Sequence, residues 1–133
     1  MSPGAAPRWI TKVGIIALHD RSLALHGGAS GLRDEGLLES ALARPQNRHA
    51  YEGVDDISEL AATHAVALSS NHAFIDGNKR TAFLAAGLFL EKNGLRLTAS
   101  QVDATLTMLR GAAGEMDIQA LALWIRANIE GVS

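Results

Sequence analysis

Apolar residues recur along most of the chain with the spacing of an α-helix, and this pattern limits the possible folds more than any other feature of the sequence. It is clearest after Asp56, where one face would be formed by Ile57, Leu60, Ala61, His64, Ala65 and Leu68. Side chains three and four residues apart share one face of a helix, whereas a half-buried strand alternates at every second residue. The sequence therefore predicts an all-α fold.

Turn-forming residues divide the chain into six predicted helices. A glycine after a helix, an aspartate before it or a proline within it marks each boundary. The predicted helices are residues 11–26, a brief helix between a cap at Asp34 and a stop at Pro45, residues 56–71, residues 78–93, a helix beginning at a capping box of Thr98 and Gln101, and a helix capped by Asp117. Residues 78–93 are apolar almost all round in the middle, which is typical of a buried central helix.

The same spacing predicts which side chains form the core. The first helix would bury Val13, Ile16, Ala17, Leu23 and Ala24, the fifth Val102, Leu106 and Leu109, and the last Ile118, Leu121, Ala122 and Ile125. His64 lies on the apolar face of the third helix and is expected to be a hydrogen-bonded core histidine. Residues 45–55 show neither period and contain Pro, Asn, Gly and paired Asp, so they are predicted to be a surface segment.

Composition narrows the class of protein. The 133 residues fit one domain, residues 1–133, because a domain usually has about 100–200 residues. Twelve Lys and Arg against fourteen Asp and Glu give a net charge of −2, so direct nucleic-acid binding is not expected. The absence of cysteine excludes disulfides and thiolate metal sites. No apolar run reaches the roughly 18 residues of a membrane span and no secretory signal is recognisable, so a cytoplasmic protein without a membrane partner is expected.

Residues 71–82, with the sequence NHAFIDGNKRTA, concentrate the groups that could carry chemistry. Gly77 precedes a predicted helix start, so the free N–H groups of residues 78–80 can converge there on an anion. Lys79 and Arg80 add positive charge, and the planar guanidinium of Arg80 suits two phosphate oxygens. This stretch therefore predicts a phosphate-binding site.

Two further residues of the same stretch add reactive groups to the predicted phosphate site. Asp76 is a hard oxygen ligand suited to Mg²⁺, and His72 can accept a hydroxyl proton near neutral pH. Together with the anion site they indicate transfer of a phosphoryl or nucleotidyl group to a hydroxyl. The sequence contains neither a G-x-x-x-x-G-K-[ST] loop nor H-R-D and D-F-G triplets, which argues against a P-loop enzyme or a classical protein kinase.

Seven specified positions among nine residues resemble the H-x-F-x-D-G-N-K-R signature of the Fic/Doc family, in its Doc (death-on-curing) branch: His72, Phe74, Asp76, Gly77, Asn78, Lys79 and Arg80. Residues 17–46 and the stretch FLEKNGLRL at 89–97 resemble the same branch, so the resemblance covers most of the chain. It implies a compact six-helix Fic/Doc fold around a buried central helix. It also implies a toxin of a type II toxin–antitoxin pair, since the Doc branch phosphorylates a threonine of elongation factor Tu and halts translation.

The resemblance also assigns roles to the residues of the signature. His72 would deprotonate the target hydroxyl and Asp76 would bind Mg²⁺. The phosphates of ATP would be held at Gly77, Asn78, Lys79 and Arg80, with Gly77 supplying the turn and Phe74 anchoring the loop in the core. The family's inhibitory motif, a Ser or Thr followed four residues later by Glu, is absent. Inhibition is therefore expected from a separate antitoxin.

Two departures from the wider family bear on the reaction. Lys79 stands where AMP-transferring members have a second glycine, and Phe83 stands where they have a second arginine. Both disfavour a nucleotide pose that presents the α-phosphate, so transfer of the γ-phosphate is the first hypothesis. AMP transfer to a protein hydroxyl is the second, and a catalytically silent binding module is the third.

Two features remain open at the level of sequence. Residues 46–54 are either a plain exposed loop or the family's target-docking flap, which positions a substrate segment by strand-like backbone contacts. Trp9 and Trp124 are expected to lie in the core or to contact the antitoxin. The oligomeric state, the type of antitoxin and the target residue are not specified by the sequence.

Overall fold

The fold was determined as a computed structural model that describes residues 6–112 and 114–132, apart from the side chains of residues 101, 108, 109 and 112. Its elements in chain order are α1 (Lys12–His26), α2 (Glu35–Glu52), α3 (Ile57–Asn71), α4 (Asn78–Lys92), β1 (Leu95–Leu97), α5 (Gln101–Ala112), α6 (Ile118–Ala127) and β2 (Ile129–Gly131). Six helices dominate, so the predicted all-α class is confirmed. None of the described helices is both long and apolar enough to cross a membrane.

The two short strands were not predicted. They pair antiparallel, with Leu95 opposite Gly131 and Leu97 opposite Ile129, so the end of α6 is tied to the end of α4. Each strand has only three residues, which is too short for an alternating pattern to stand out in the sequence.

The central helix is α3 rather than α4. Eleven of the fifteen residues of α3 are buried, against six of the fifteen in α4, and α3 packs against α2, α4, α5 and α6. The sequence pointed to α4 because that helix carries the larger apolar side chains. The middle of α3 consists mainly of small residues such as Ala61, Ala62 and Ala65, which allow neighbouring helices to approach closely.

The second helix is longer than predicted. Asp34 caps it as expected, since its Oδ1 accepts a hydrogen bond from the N–H of Leu37 at 3.0 Å, but the helix continues through Pro45 to Glu52, with Gly53 as its C-cap. Proline removes one helical hydrogen bond, and here its ring is buried in the core. Beyond it, Arg48 binds Glu59 of α3 at 2.7 Å, which holds the last turns in place. Residues 45–52 are therefore helical rather than irregular as predicted, although most of residues 46–52 lie at the surface as expected.

The buried face of α1 also differs from the prediction. Thr11 caps the helix through Gly14, but the residues that α1 buries are Ile15, His19 and Ser22, whereas Val13 is 77% exposed. Ala17 and Ala24 are exposed as well. The polar face of α1 is buried because it contacts the loop between α3 and α4. The spacing of apolar residues within α1 cannot predict this long-range contact.

The two C-terminal helices gave different outcomes. In α5, Val102 and Leu106 are 67% and 56% exposed, so the predicted apolar face is wrong there, and the side chain of Leu109 lies outside the described residues. Ser100 rather than Thr98 accepts the capping hydrogen bond, from the N–H of Asp103. The prediction for α6 is confirmed, because Asp117 caps that helix and its core residues are Leu121, Ala122 and Ile125.

His64 of α3 is fully buried, as predicted, but the predicted hydrogen bond of its side chain is not observed. Neither ring nitrogen has a partner among the described residues. The ring instead packs against Phe89 and Trp9, at centroid distances of 4.6 and 6.2 Å. Burial in this aromatic environment lowers the pKa of His64 from 6.5 to about 3, because the charged form would lose its hydration. Trp9 and Trp124 are both partly buried and pack against the core.

Candidate active site

The signature residues form a tight connection between α3 and α4. His72 ends α3 in the left-handed conformation, with φ 50° and ψ 47°. Gly77 is likewise left-handed, with φ 77°, and begins α4 without a side-chain cap. Left-handed backbone at a residue other than glycine is uncommon and strained, so surrounding contacts must hold His72 in place.

The strained start of the loop is held by the segment before α2. The guanidinium of Arg33 donates from Nε to the carbonyl of His72 at 2.7 Å and from an Nη to the carbonyl of Asn71 at 3.4 Å. The backbone N–H groups of Arg33 and Asp34 both donate to the carbonyl of Ala73, at 2.7 and 3.1 Å. These bonds satisfy carbonyls at the C-terminal end of α3, where a cation is also favoured by the helix dipole.

Phe74 and Asn78 fix the middle of the loop. The side chain of Phe74 is buried, at 3% exposure. Its N–H donates to Oδ1 of Asn78 at 3.0 Å, and Nδ2 of Asn78 donates to its carbonyl at 2.9 Å. The amide of Asn78 is thus engaged by the loop itself, so this residue can offer a phosphate its backbone N–H rather than its side chain.

His19 of α1 supports the loop from below. Its ring is buried and stacks on Phe74, with centroids 3.8 Å apart and planes 10° from parallel. Its Nε2 lies 2.7 Å from the carbonyl oxygen of Asp76. A carbonyl can only accept, so Nε2 carries the proton and donates it. His19 therefore contacts both the ring of Phe74 and the backbone of Asp76, the residue predicted to bind a metal.

The carboxylate of Asp76 is oriented by two backbone N–H groups. Oδ1 accepts from Gly77 at 2.8 Å, and Oδ2 accepts from Ala29 at 3.3 Å. Gly28 makes this approach possible, because a Cβ at that position would lie 2.8 Å from Oδ2. Each oxygen keeps a further lone pair for a cation, so the arrangement is compatible with a metal ligand.

A cavity of about 500 Å³ opens over the loop and the start of α4. Six of the predicted site residues line it: His72, Asp76, Gly77, Asn78, Lys79 and Arg80. Phe74 lies beneath the cavity floor, in the core. Ile75, Phe83 and Thr105 complete the walls, and Thr105 brings α5 to the site.

The electrostatic character of the cavity favours an anion. Lys79 and Arg80 are exposed and make no ion pair within the described part of the chain. The first N–H groups of α4 face the same space, and the helix dipole adds partial positive charge there. Over residues 6–112 and 114–132 no group of three His, Asp or Glu side chains could hold a metal by itself. A Mg²⁺ ion at Asp76 would therefore need phosphate oxygens and water as its other ligands, which is its usual mode of binding with nucleotides.

Comparison with known proteins agrees with the loop geometry. The family model described as Fic/DOC family matches residues 9–90, which is more than half of the chain. This chain belongs to the Fic/DOC family. The predicted family is thus confirmed.

Two relatives of the Fic/DOC chain match most of its length. It is 40% identical over 119 residues to "Protein kinase doc" of Escherichia phage P1, covering 90% of this chain and 94% of the relative. It is 42% identical over 101 residues to "Toxin Doc" of Mycolicibacterium smegmatis, covering 72% of this chain and 76% of the relative. The similarity therefore extends well beyond the signature.

Sequence reasoning missed the Fic/DOC residues that hold the signature in place. Neither His19 nor Arg33 was among the predicted site residues, because no local pattern marks either of them. Both act on loop atoms 39 to 57 positions away in the chain. The glycine pair at 27–28 predicts only the end of a helix, although Gly28 also leaves room for the carboxylate of Asp76.

Proposed function

We propose that the chain is a toxin that transfers the γ-phosphate of ATP to a hydroxyl group of another protein. The observation that carries the proposal is the cavity in which His72, the carboxylate of Asp76 and the open N-terminus of α4 lie together. The names of the two relatives, a protein kinase and a toxin, support it. By the family resemblance, the first candidate target is a threonine of elongation factor Tu.

His72 would act as the general base. Its ring lines the cavity while its main chain is fixed by Arg33, so the imidazole can be presented to an incoming hydroxyl. As the hydroxyl oxygen attacks the γ-phosphorus, His72 would take its proton, and the bond from the γ-phosphorus to the β,γ-bridging oxygen would break to leave ADP. The products would be a phosphorylated protein, ADP and a proton returned to solvent.

The N-terminus of α4 would hold the phosphates. Backbone N–H groups of residues 78–80, together with the charges of Lys79 and Arg80, provide donors and positive charge on one side of the cavity. Asp76 would hold Mg²⁺, which would neutralise charge on the phosphates when bound. Both ATP and Mg²⁺ are therefore proposed cofactors.

Phe83 favours phosphoryl transfer over AMP transfer. It lines the cavity at the position where AMP-transferring members of the family carry an arginine, so a cation for the second nucleotide pose is missing there. Lys79 adds bulk where those members have glycine. Both residues support presentation of the γ-phosphate.

The deciding experiment uses ATP labelled at either the γ or the α phosphate. The purified chain is incubated with a bacterial lysate and Mg²⁺, with His72→Ala as the control and elongation factor Tu tested separately. Protein label from γ alone is expected. Label from α alone would establish AMP transfer instead, and label from neither would refute both reactions.

A toxin also requires an inhibitor, and we propose a cognate antitoxin that acts in trans. The chain lacks the family's own inhibitory motif, and the relative named "Toxin Doc" is consistent with such a pair. Expression of the chain alone should arrest growth, whereas His72→Ala should not. Co-expression of the cognate antitoxin should restore growth, and a folded but harmless wild-type chain would refute the toxin hypothesis.

A further inference from the structure

The backbone conformation of His72 has to be held by its surroundings. With φ 50° and ψ 47°, it is the only residue other than glycine with a positive φ over residues 6–112 and 114–132. A residue with a Cβ avoids this conformation because the Cβ comes close to the following carbonyl oxygen. The same two torsion angles set the direction in which the Cβ leaves the main chain. The position of the imidazole in the catalytic cavity therefore depends on the contacts that keep φ positive.

The guanidinium of Arg33 contacts the two peptide groups that flank His72. Its Nε donates to the carbonyl of His72 at 2.7 Å, and one Nη donates to the carbonyl of Asn71 at 3.4 Å. Peptide groups are planar, so φ and ψ of His72 are the rotations of these two planes about its Cα. A single rigid, planar donor group that binds both carbonyls therefore restrains both torsion angles at once.

Main-chain contacts direct the chain after His72. The N–H of Arg33 donates to the carbonyl of Ala73 at 2.7 Å, and the N–H of Ile75 donates to the carbonyl of Gly31 at 3.1 Å. The same two segments also share an antiparallel β-bridge. These bonds involve no side chain, so they can remain when the side chain of Arg33 is replaced. The side chain of Arg33 is thus the part of this contact that acts on His72 itself.

The charge of Arg33 lies outside the space proposed for the phosphates. Lys79 and Arg80 line the catalytic cavity, whereas Arg33 does not. The described hydrogen bonds of its side chain both go to main-chain carbonyls. A side chain that touches neither the nucleotide nor the acceptor affects the reaction only through the residue that it holds. Here that residue is His72, which lines the cavity.

From these contacts we infer that Arg33 is a positioning residue for the proposed base: its guanidinium keeps the main chain of His72 left-handed and so keeps the imidazole directed into the catalytic cavity. The inference rests on the proposed function, because the orientation of a base matters only if a hydroxyl has to lose its proton. Arg33 should accordingly affect the rate of transfer from bound ATP, whereas Lys79 and Arg80 should affect the binding of ATP.

The test compares Arg33→Ala and Arg33→Lys with Asn128→Ala in the intact chain. Lysine keeps the positive charge but replaces the planar fork by a single ammonium group. Asn128 supplies the matched control: its Nδ2 donates to the carbonyl of Trp124 at 2.8 Å at the end of α6, and it does not line the catalytic cavity. The maximal rate of protein labelling is measured with γ-labelled ATP and a clarified bacterial lysate. The dissociation constant for ATP is measured by titration, and stability by urea unfolding.

Arg33→Ala should lower the maximal rate about tenfold, which is the effect expected when a hydrogen bond from a charged donor is lost. Its dissociation constant for ATP should stay within about twofold of wild type. Arg33→Lys should recover only part of the rate, and guanidinium ion, added below the concentrations that unfold the protein, should recover part of it in Arg33→Ala. Asn128→Ala should lose stability but not rate. A wild-type rate in Arg33→Ala or Arg33→Lys, a loss only of ATP affinity, or an equal loss of rate in Asn128→Ala would overturn the inference.

A second measurement separates this inference from the proposed function. The main-chain and ring NMR signals of His72, recorded without ATP, should change in Arg33→Ala and stay the same in Asn128→Ala. Unchanged signals in Arg33→Ala would refute the inference while leaving the proposed function intact. If the signals change but the wild-type chain labels no protein from γ-labelled ATP, the proposed function has failed, and Arg33 then holds the loop without serving a reaction.

Discussion

Replacement of His64 by leucine should change how the stability of the protein depends on pH. His64 is fully buried among aromatic rings, and burial lowers its pKa from 6.5 to about 3. Between these two values the unfolded chain binds a proton at this position and the folded chain does not. The free energy of unfolding must therefore fall as the pH is lowered below 6.5, and it continues to fall until the folded protein also protonates near pH 3.

The size of the effect follows from the two pKa values. Each unit of difference corresponds to about 1.4 kcal/mol, so the wild-type protein should lose about 2 kcal/mol from His64 alone between pH 7.5 and pH 5. The complete shift corresponds to about 5 kcal/mol near pH 3. A loss of about 2 kcal/mol is a substantial part of a typical domain stability of about 5–15 kcal/mol.

At pH 7.5 two effects of His64→Leu oppose each other. The two buried ring nitrogens have no hydrogen-bond partner among the described residues, so their removal should stabilise the fold by about 1–3 kcal/mol, whereas loss of the contacts with Phe89 and Trp9 should cost about 0.5–1.5 kcal/mol each. The free energies of unfolding of His64→Leu and wild type should therefore be similar at pH 7.5. At pH 5 the difference should favour the variant by about 2 kcal/mol more than at pH 7.5.

The measurement is urea unfolding followed by circular dichroism at pH 7.5, 6.0 and 5.0. His26→Leu, at the exposed end of α1, serves as the control for loss of a histidine. The difference in unfolding free energy between His64→Leu and wild type should widen steadily toward acid pH. Two parallel pH profiles would refute the reasoning, because they would mean that His64 binds its proton equally well in both states.

Three further substitutions test how the loop is held. Gly28→Ala should weaken Mg²⁺-dependent transfer and destabilise the fold by about 1–3 kcal/mol, because its Cβ would lie 2.8 Å from Oδ2 of Asp76. Gly27→Ala is the control: Gly27 has φ 77° but no atom within 4 Å of an added Cβ, so this variant should show only the cost of backbone strain. Equal Mg²⁺ dependence of the two variants would contradict this prediction. His19→Ala should lower the maximal transfer rate at least about tenfold, and His19→Gln, which keeps an N–H donor for Asp76, should recover part of it; no recovery would limit His19 to a packing role. Asn78→Asp should lose at least as much activity as Asn78→Ala in the same γ-label assay, because a carboxylate oxygen in place of Nδ2 would face the carbonyl of Phe74 and add negative charge to the anion-binding cavity; higher activity in Asn78→Asp than in Asn78→Ala would argue against the role of the Nδ2 hydrogen bond.

The sequence predicted those parts of the fold that depend on local signals. The apolar stripe of α3, the caps Asp34 and Asp117 and the turn at Gly77 all involve residues within a few positions of one another. The same holds for the candidate site, since seven of the nine residues that line its cavity come from residues 72–80.

The failures depend on contacts between distant segments. The polar face of α1 is buried because His19 meets Phe74 and Asp76, and no pattern within α1 specifies that meeting. The second helix continues past Pro45 because Arg48 forms an ion pair with Glu59 on α3. In both cases tertiary packing outweighs a local preference, as expected when the energy of burial exceeds that of a single helical signal.

The hydrogen bonds around the signature loop have a consequence for control. Arg33, His19 and Asn78 hydrogen-bond to the backbone of the loop, so these bonds come from the chain itself. Any switch that works by disordering the loop would have to break these hydrogen bonds first, so the loop is poorly suited to order–disorder control. Under the proposed function we therefore expect an inhibitor to compete for the space above the loop, so its potency should fall as the concentration of nucleotide rises.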